Sequence, residues 1–298
     1  MEGDLRNVWA GVTDATCNWY GVASGPTASK VSGSFTTSQW LTTSNLNGGC
    51  SDNSGPITTV TPPAPAPINT AIALSVSISD LATGNSPLKS YTWTRDGGSP
   101  TTVEFGTSAV TQAFTLNVTA DAAADVDNIC VRGTDIWGNV GPEVCVLTVW
   151  YDPSAGFVTG GGWINSPPGA YVANPLLTGK ANFGFVSKYE KGRTIPSGNT
   201  EFQFAAAGLK FASTSMDWLV VSGARAQFHG IGTLNGTAGY SFTLTAIDGS
   251  VNGGGGTNKF RIKILAPAGG VLYDNQLNAP DSADPTTVLG GGNIMIHK

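Results

Sequence analysis

The four cysteines are the residues of this sequence with the most clearly assignable chemistry. Cys17, Cys50, Cys130 and Cys145 form no C-x-x-C pair, and the chain has only two histidines, so a zinc or thiol redox site is not indicated. This pattern predicts two disulfides, which persist in an oxidising, extracellular setting. No catalytic residue, metal ligand or cofactor is expected.

The stretch NICVRGTDIWGNVGPEVCVLTVW predicts one of these disulfides. If it folds as a hairpin about its Trp-Gly pair, Cys130 lies opposite Cys145. The same register places Arg132 opposite Glu143 and forms two apolar pairs on the other side of the strands. A single register thus satisfies several pairs at once. We therefore expect a Cys130–Cys145 disulfide.

Residues 1–55 form a small β-rich N-terminal segment of short predicted strands. The remaining cysteines, Cys17 and Cys50, are expected to cross-link it, because a core is marginal below about 60 residues. We interpret the segment as an incomplete sandwich, or as one that exchanges a strand with a neighbouring molecule.

Aromatic residues are dense in this segment and allow two interpretations. Trp9, Trp19, Tyr20 and Trp40 either supply the core of a small domain or form an exposed row that stacks on sugar rings. Core packing is the favoured interpretation. Ligand stacking by these four residues is the alternative and would bind polysaccharide.

The stretch FVTGGGWINSPPGAY has the glycines of a phosphate-binding loop but not its context. Such a loop leads into a helix, with Lys and Ser or Thr following, whereas W-I-N-S-P-P cannot begin a helix. The glycines instead indicate a bulge or a close backbone approach within a strand, and we expect Trp163 to cap the core.

Two carboxylate clusters are compared with calcium sites. Asp248 precedes a glycine-rich loop, and a calcium site there would need Asp274, Asp281 or Asp284 from elsewhere in the chain. The spacing matches no calcium-binding loop, so a solvated turn is favoured. Asp135–Asn139 is similarly interpreted as a hairpin turn that satisfies local backbone donors.

Composition predicts the fold class. Of 298 residues 40 are glycine, only 12% are charged and 40% are hydrophobic, which is typical of an ordered protein with many turns. Alternation such as that of IALSVSISD indicates half-buried strands. We therefore expect an all-β protein of tandem antiparallel, Ig-like β-sandwich domains.

Other patterns bear on localisation and domain boundaries. No cluster of Lys and Arg suits nucleic acid, and no apolar run is long enough for a membrane span. The start, MEGDLRNVW, has no apolar core, which predicts that Met1 is a start codon before a mature secreted chain. TPPAPAP is either a semi-rigid linker or an extended sheet edge. The expected domains are 1–55, 56–152 and 153–298.

The C-terminal half resembles a known family. Residues 153–298 resemble the post-COAP domain of secreted bacterial and archaeal proteins, in the segments GFVTGGGWINSPPGAY, GKANFGFVSKYEKG, TEFQFAAAGLKF, DWLVVSGARAQFHGIGTLNG, YSFTLTAIDG, NKFRIKI and LGGGNIMIHK. Residues 56–152 resemble the Ig-like repeats that commonly precede this module. The resemblance implies an extracellular, multidomain, all-β protein, and it carries over no catalytic residue or ligand.

These observations predict a non-catalytic, secreted structural or adhesion protein of the cell surface or extracellular matrix. Self-association into fibres through open sheet edges is expected. The alternatives are a carbohydrate-binding module and the accessory region of a secreted enzyme.

Overall fold

The computed structural model describes residues 5–6, 13–15, 17–27, 31–36, 40–46 and 50–298. Within these residues the chain forms 21 β-strands and one 3-10 turn, Ala205–Ala207, with no α-helix. The predicted all-β class is therefore confirmed. None of the described segments is a helix long and apolar enough to cross a membrane.

Twelve strands precede the C-terminal half. They are β1 (Leu5–Arg6), β2 (Thr13–Asp14), β3 (Val31–Ser32), β4 (Phe35–Thr36), β5 (Ile57–Val60), β6 (Ala66–Pro67), β7 (Ile72–Ser79), β8 (Leu88–Arg95), β9 (Thr101–Glu104), β10 (Thr111–Val118), β11 (Asp125–Asp135) and β12 (Val144–Tyr151).

Nine strands follow in the C-terminal half. They are β13 (Phe157–Ser166), β14 (Gly179–Lys188), β15 (Ser197–Phe204), β16 (Leu209–Ser222), β17 (Arg225–Leu234), β18 (Thr237–Ile247), β19 (Lys259–Leu265), β20 (Val271–Asp274) and β21 (Gly291–His297).

The chain divides into two compact units. The first contains the described residues of Met1–Thr61 together with Leu74–Leu116 and Ile129–Val146. The second contains Pro62–Ala73, Asn117–Asn128 and Leu147–Lys298. The three domains expected from the sequence, 1–55, 56–152 and 153–298, stay a prediction.

Strands β5 to β12 belong to two sheets, with the strand orders β10-β7-β5 and β6-β12-β11-β8-β9. The alternation in β7 buries Leu74, Val76 and Ile78, as the sequence predicts. Ile78 contacts the other sheet closely, since a Cβ on Gly133 would lie 2.5 Å from its Cγ2. The two sheets therefore face each other, and glycine at position 133 permits their close approach.

The end of the proline run joins a sheet. Ala66 and Pro67 form β6, which pairs in parallel with Trp150 and Tyr151 of β12 at the sheet edge. An edge position suits proline, because it has no N–H to donate to a second neighbour. The extended-edge interpretation therefore holds for Ala66 and Pro67. Residues 62–65 belong to no strand, so the semi-rigid linker stays a prediction for them.

The structure contains the two predicted disulfides, Cys17–Cys50 and Cys130–Cys145. The Cα atoms of Cys130 and Cys145 are 4.0 Å apart, so these residues lie opposite each other. Nearer the turn, the N–H of Gly141 donates to the carbonyl of Gly133. Gly133 therefore lies opposite Gly141 and not opposite Pro142, a register shift of one residue. Pro142 is the extra residue on the second strand, and it has no N–H to donate to the ladder.

The hairpin turn confirms the interpretation of Asp135. Its Oδ1 accepts the backbone N–H groups of Trp137 and Asn139 at 2.8 and 2.9 Å. Arg132 and Glu143, expected to face each other, form no salt bridge in the described part of the chain.

Removal of the hairpin disulfide gives a first prediction. We expect Cys130→Ala/Cys145→Ala to lower the free energy of unfolding of the first unit by about 3 kcal/mol, because the link closes a 15-residue loop. Urea unfolding, with and without reducing agent, measures the change. Reduction should affect the double variant less than the unsubstituted chain, and an equal effect on both would contradict the prediction.

The nine C-terminal strands form a single antiparallel sheet with the order β20-β19-β18-β17-β16-β15-β14-β13-β21. Eight strands follow one another as a meander, and β21 returns to pair with β13. The sheet folds over its own core, since the rings of Phe183 on β14 and Phe260 on β19 stack at 4.1 Å. Alternating apolar side chains on these strands create that core.

The glycine triple lies inside β13. A Cβ on Gly160 would lie 2.4 Å from the Phe185 ring, so glycine makes room for that ring. Trp163 lies on the opposite face of the strand from buried Ile164, half-buried, with Lys180 Nζ 4.8 Å from its ring centroid. The close approach is as predicted, but the expectation that Trp163 caps the core is wrong, because its position in the strand directs it outward.

Candidate functional site

Strand β10 is the end strand of its sheet and pairs with β7 on one side. None of the described residues pairs as a strand with its other edge. Its eight residues, TQAFTLNV, contain neither proline nor a charged residue. Native sheets usually protect an edge with such residues, so β10 is an open template for strand addition.

Strand β9 is the end strand of the facing sheet and directly precedes β10 in the chain. All four of its residues are exposed. Beside these two edges the rings of Tyr91, Phe105 and Phe114 form a cluster, with centroids 4.3 to 5.7 Å apart. The three side chains are only half-buried. An added strand could therefore bury further aromatic surface as well as form backbone hydrogen bonds.

An open groove of about 380 Å³ crosses the outer face of β5, β7 and β10. It is lined by Val76, Phe114 and a set of small residues on the three strands or directly after β5: Thr59, Thr61, Ser75, Ser77, Ala113 and Thr115. None of the lining side chains is ionisable, so the groove offers hydroxyl groups for hydrogen bonding and no acid–base pair.

The N-terminal aromatic residues do not form one exposed row. Trp9 lies outside the described residues. Tyr20 is buried, with its hydroxyl donating to the Ala15 carbonyl. Trp40 is half-buried, and its Nε1 donates to the Ala23 carbonyl at 3.0 Å. These contacts favour packing for Tyr20 and Trp40; stacking on a ligand stays a prediction for half-buried Trp19.

Asp248 is not in a solvated turn, contrary to the favoured interpretation. It is 2% exposed, and its Oδ2 accepts the N–H of Ile296 on β21 at 2.9 Å. Its Oδ1 accepts both the N–H and the hydroxyl of Ser250. The side chain therefore protects a strand edge, a role that depends on a residue distant in sequence.

The carboxylates considered as partners of Asp248 have other roles. Asp274 forms a bidentate ion pair with Arg261, and Asp281 binds Lys263 Nζ at 2.8 Å. These cations neutralise the two carboxylates. Asp284 lies 3.2 Å from Nε of Arg225. Among the described residues Asp248 belongs to no cluster of potential metal ligands, so the calcium site considered there is not assembled.

The fold and the open edge define the chain as an all-β, disulfide-bonded protein with a strand available for pairing. No family model, curated protein or solved structure matches the chain. The resemblance to the post-COAP domain accordingly stays a hypothesis, and function is inferred from the geometry.

The site residues found by sequence reasoning are the cysteines. The alternation of Phe114, Leu116 and Val118 identifies β10 as a strand but does not reveal its position at the sheet edge. The absence of proline and charged residues from β10 is the feature of the sequence that indicates an unprotected edge.

Proposed function

We propose that this chain is a non-catalytic, secreted structural or adhesion protein of the cell surface or extracellular matrix, which self-associates by strand addition at β10. The observation that carries the proposal is the open, uncharged, eight-residue edge of β10. An added strand would form hydrogen bonds with the free backbone groups of β10, as in other assemblies built by strand addition.

The added strand is assigned to the N-terminal segment of a second copy. The described strands of that segment, β1 to β4, are two residues long and pair only with each other. Few ladder hydrogen bonds are therefore lost when such a segment pairs elsewhere. Apolar side chains of the incoming strand would pack on Tyr91, Phe105 and Phe114.

The disulfides support an extracellular location. The chain has two of them, Cys17–Cys50 and Cys130–Cys145. Disulfides persist outside the reducing cytosol. The resemblance to secreted modules leads to the same proposal.

Charge added to the edge tests the proposal. We expect Ala113→Lys/Thr115→Lys, at exposed positions of β10, to weaken self-association by about tenfold, because each unfavourable cross-strand contact costs roughly 0.2–1 kcal/mol. Analytical ultracentrifugation over a concentration series measures the change.

The matched control is Ser75→Lys/Ser77→Lys, which adds the same charge to the central strand β7 on the same face. It should leave the association intact. A chain that sediments as a monomer at every accessible concentration would overturn the proposal, as would an equal effect of the two variants.

A further inference from the structure

Three carboxylates converge within the first unit. Asp52 precedes β5, Asp80 follows β7, and Asp135 ends β11; one oxygen of each lies within 4.8 Å of an oxygen of each of the others. Their side chains are buried, with exposed fractions of 8%, 0% and 0%. Within the described residues none of the three forms a salt bridge. The cluster thus concentrates negative charge without a protein cation.

Burial makes this arrangement costly on its own. A carboxylate removed from water favours its neutral form, and a like charge nearby increases that preference. Burial, with the nearby Asp52 carboxylate, raises the pKa of Asp80. A bound cation would remove the repulsion and allow all three groups to stay ionised.

Neighbouring groups hold two of the carboxylates in place. Asp80 Oδ1 accepts the Thr83 hydroxyl, and its Oδ2 accepts the Ser86 N–H, each at 2.6 Å. Asp135 is fixed by the turn that follows it and by Asn139, whose Nδ2 donates to Asp135 Oδ2 at 2.8 Å. Such supporting hydrogen bonds preorganise ligand oxygens.

Asp52 provides an independent sign of a missing partner. Its Oδ1 accepts the Ser54 N–H at 2.9 Å, whereas its buried Oδ2 accepts no hydrogen bond. A buried carboxylate oxygen without any donor is rare and costly.

The Asp52 carboxylate occupies the space that a side chain at residue 84 would fill. A Cβ at position 84 would lie 1.7 Å from Asp52 Oδ2 and 2.0 Å from its Cγ. The N–H of Gly84 also donates to the backbone carbonyl of Asp80 at 3.0 Å. Asp52 can therefore reach the other carboxylates only because residue 84 has no side chain.

We propose that Asp52, Asp80 and Asp135 form a calcium-binding site. The donors are all oxygens, which Ca²⁺ prefers, and the cluster includes no imidazole or thiolate that would favour zinc. Three carboxylates from separate segments can bind through one or both oxygens, which matches the flexible coordination of Ca²⁺ better than the strict octahedron of Mg²⁺.

The ion would tie together three parts of the first unit. Asp52 lies two residues after Cys50 of the N-terminal disulfide, and the Asn139 side chain also donates to the Asp52 carbonyl at 2.9 Å. Calcium would therefore fasten the disulfide-linked segment to the turns after β7 and β11. The site does not depend on strand addition at β10.

Calorimetry of the full chain, after removal of divalent ions, tests the site. We expect half-saturation by Ca²⁺ between about 0.1 and 1 mM, the range of extracellular modules. At about 100 times the Kd, calcium should raise the Tm of the first unit by about 5–10 °C. Mg²⁺ at equal concentration should raise it much less.

Two variants and a control make the test specific. Asp52→Asn and Asp80→Asn should each weaken Ca²⁺ binding by about tenfold or more, because affinity follows the number of ligand charges. Glu104→Gln removes one exposed charge from the same unit and should bind Ca²⁺ as the unsubstituted chain does.

Measurements without calcium separate a ligand role from a purely structural one. There, Asp80→Asn should not lower the Tm, since it relieves like-charge repulsion. A Tm that responds to pH but not to Ca²⁺ would indicate carboxylates sharing a proton and would overturn the proposal. So would an Asp80→Asn variant that is equally destabilised with and without Ca²⁺.

Discussion

Replacing Arg261 with leucine is expected to lower the free energy of unfolding of the C-terminal sheet by about 3–5 kcal/mol. The Arg261 and Asp274 side chains are 3% and 2% exposed and form two hydrogen bonds, at 3.0 and 2.8 Å. The guanidinium also donates to the carbonyls of Ala279 and Pro280. Leucine would leave Asp274 charged and buried without its cation.

A double variant distinguishes the cost of leaving Asp274 without its cation from the cost of lost packing. We expect Arg261→Met/Asp274→Leu to recover most of the lost stability, because replacing a whole buried ion pair by apolar side chains is often neutral. Urea unfolding followed by circular dichroism provides both values. If Arg261→Leu cost less than about 1 kcal/mol, the pair would not act as a buried structural bond.

Truncation of Phe260 to alanine should be comparably severe, with a loss of about 3–5 kcal/mol. The side chain is fully buried, at 0% exposed, and stacks on Phe183 with ring centroids 4.1 Å apart. Phe185 and Phe202 lie next to it, at 6.4 and 6.5 Å between centroids. Alanine would leave a cavity among three rings from two strands, β14 and β15.

Leu176→Ala is the matched control, because Leu176 is 88% exposed in the same unit. Its effect should stay within about 0.5 kcal/mol. The same urea unfolding experiment compares the two variants. Equal losses for Phe260→Ala and Leu176→Ala would contradict the assignment of the core.

The two proposals make independent demands on the molecule. Strand addition uses the exposed edge of β10, whereas calcium binding uses buried carboxylates at Asp52, Asp80 and Asp135. A chain that binds Ca²⁺ but stays monomeric would retain the metal site and reject strand addition. A chain that self-associates equally with and without Ca²⁺, and shows no calorimetric binding, would reject only the metal site.

Local patterns in the sequence determined the fold class. Alternation in IALSVSIS predicts β7, and its buried residues are the predicted ones, because a strand places successive side chains on opposite faces. The Cys130–Cys145 disulfide was also predictable, since hairpin partners are close in sequence. Even there, Pro142 introduced a register shift that simple alternation does not reveal.

The roles of several residues were decided only by the tertiary structure. The sequence around Asp248 indicates a polar turn, whereas in the fold its carboxylate accepts the N–H of Ile296. Trp163 lies outside the core because of its place in β13. Asp52, Asp80 and Asp135 come from segments far apart in the chain. Periodicity depends on neighbouring residues and can be read from the sequence. The identity of an edge strand and the convergence of buried charges depend on contacts between distant segments, which only the folded chain establishes.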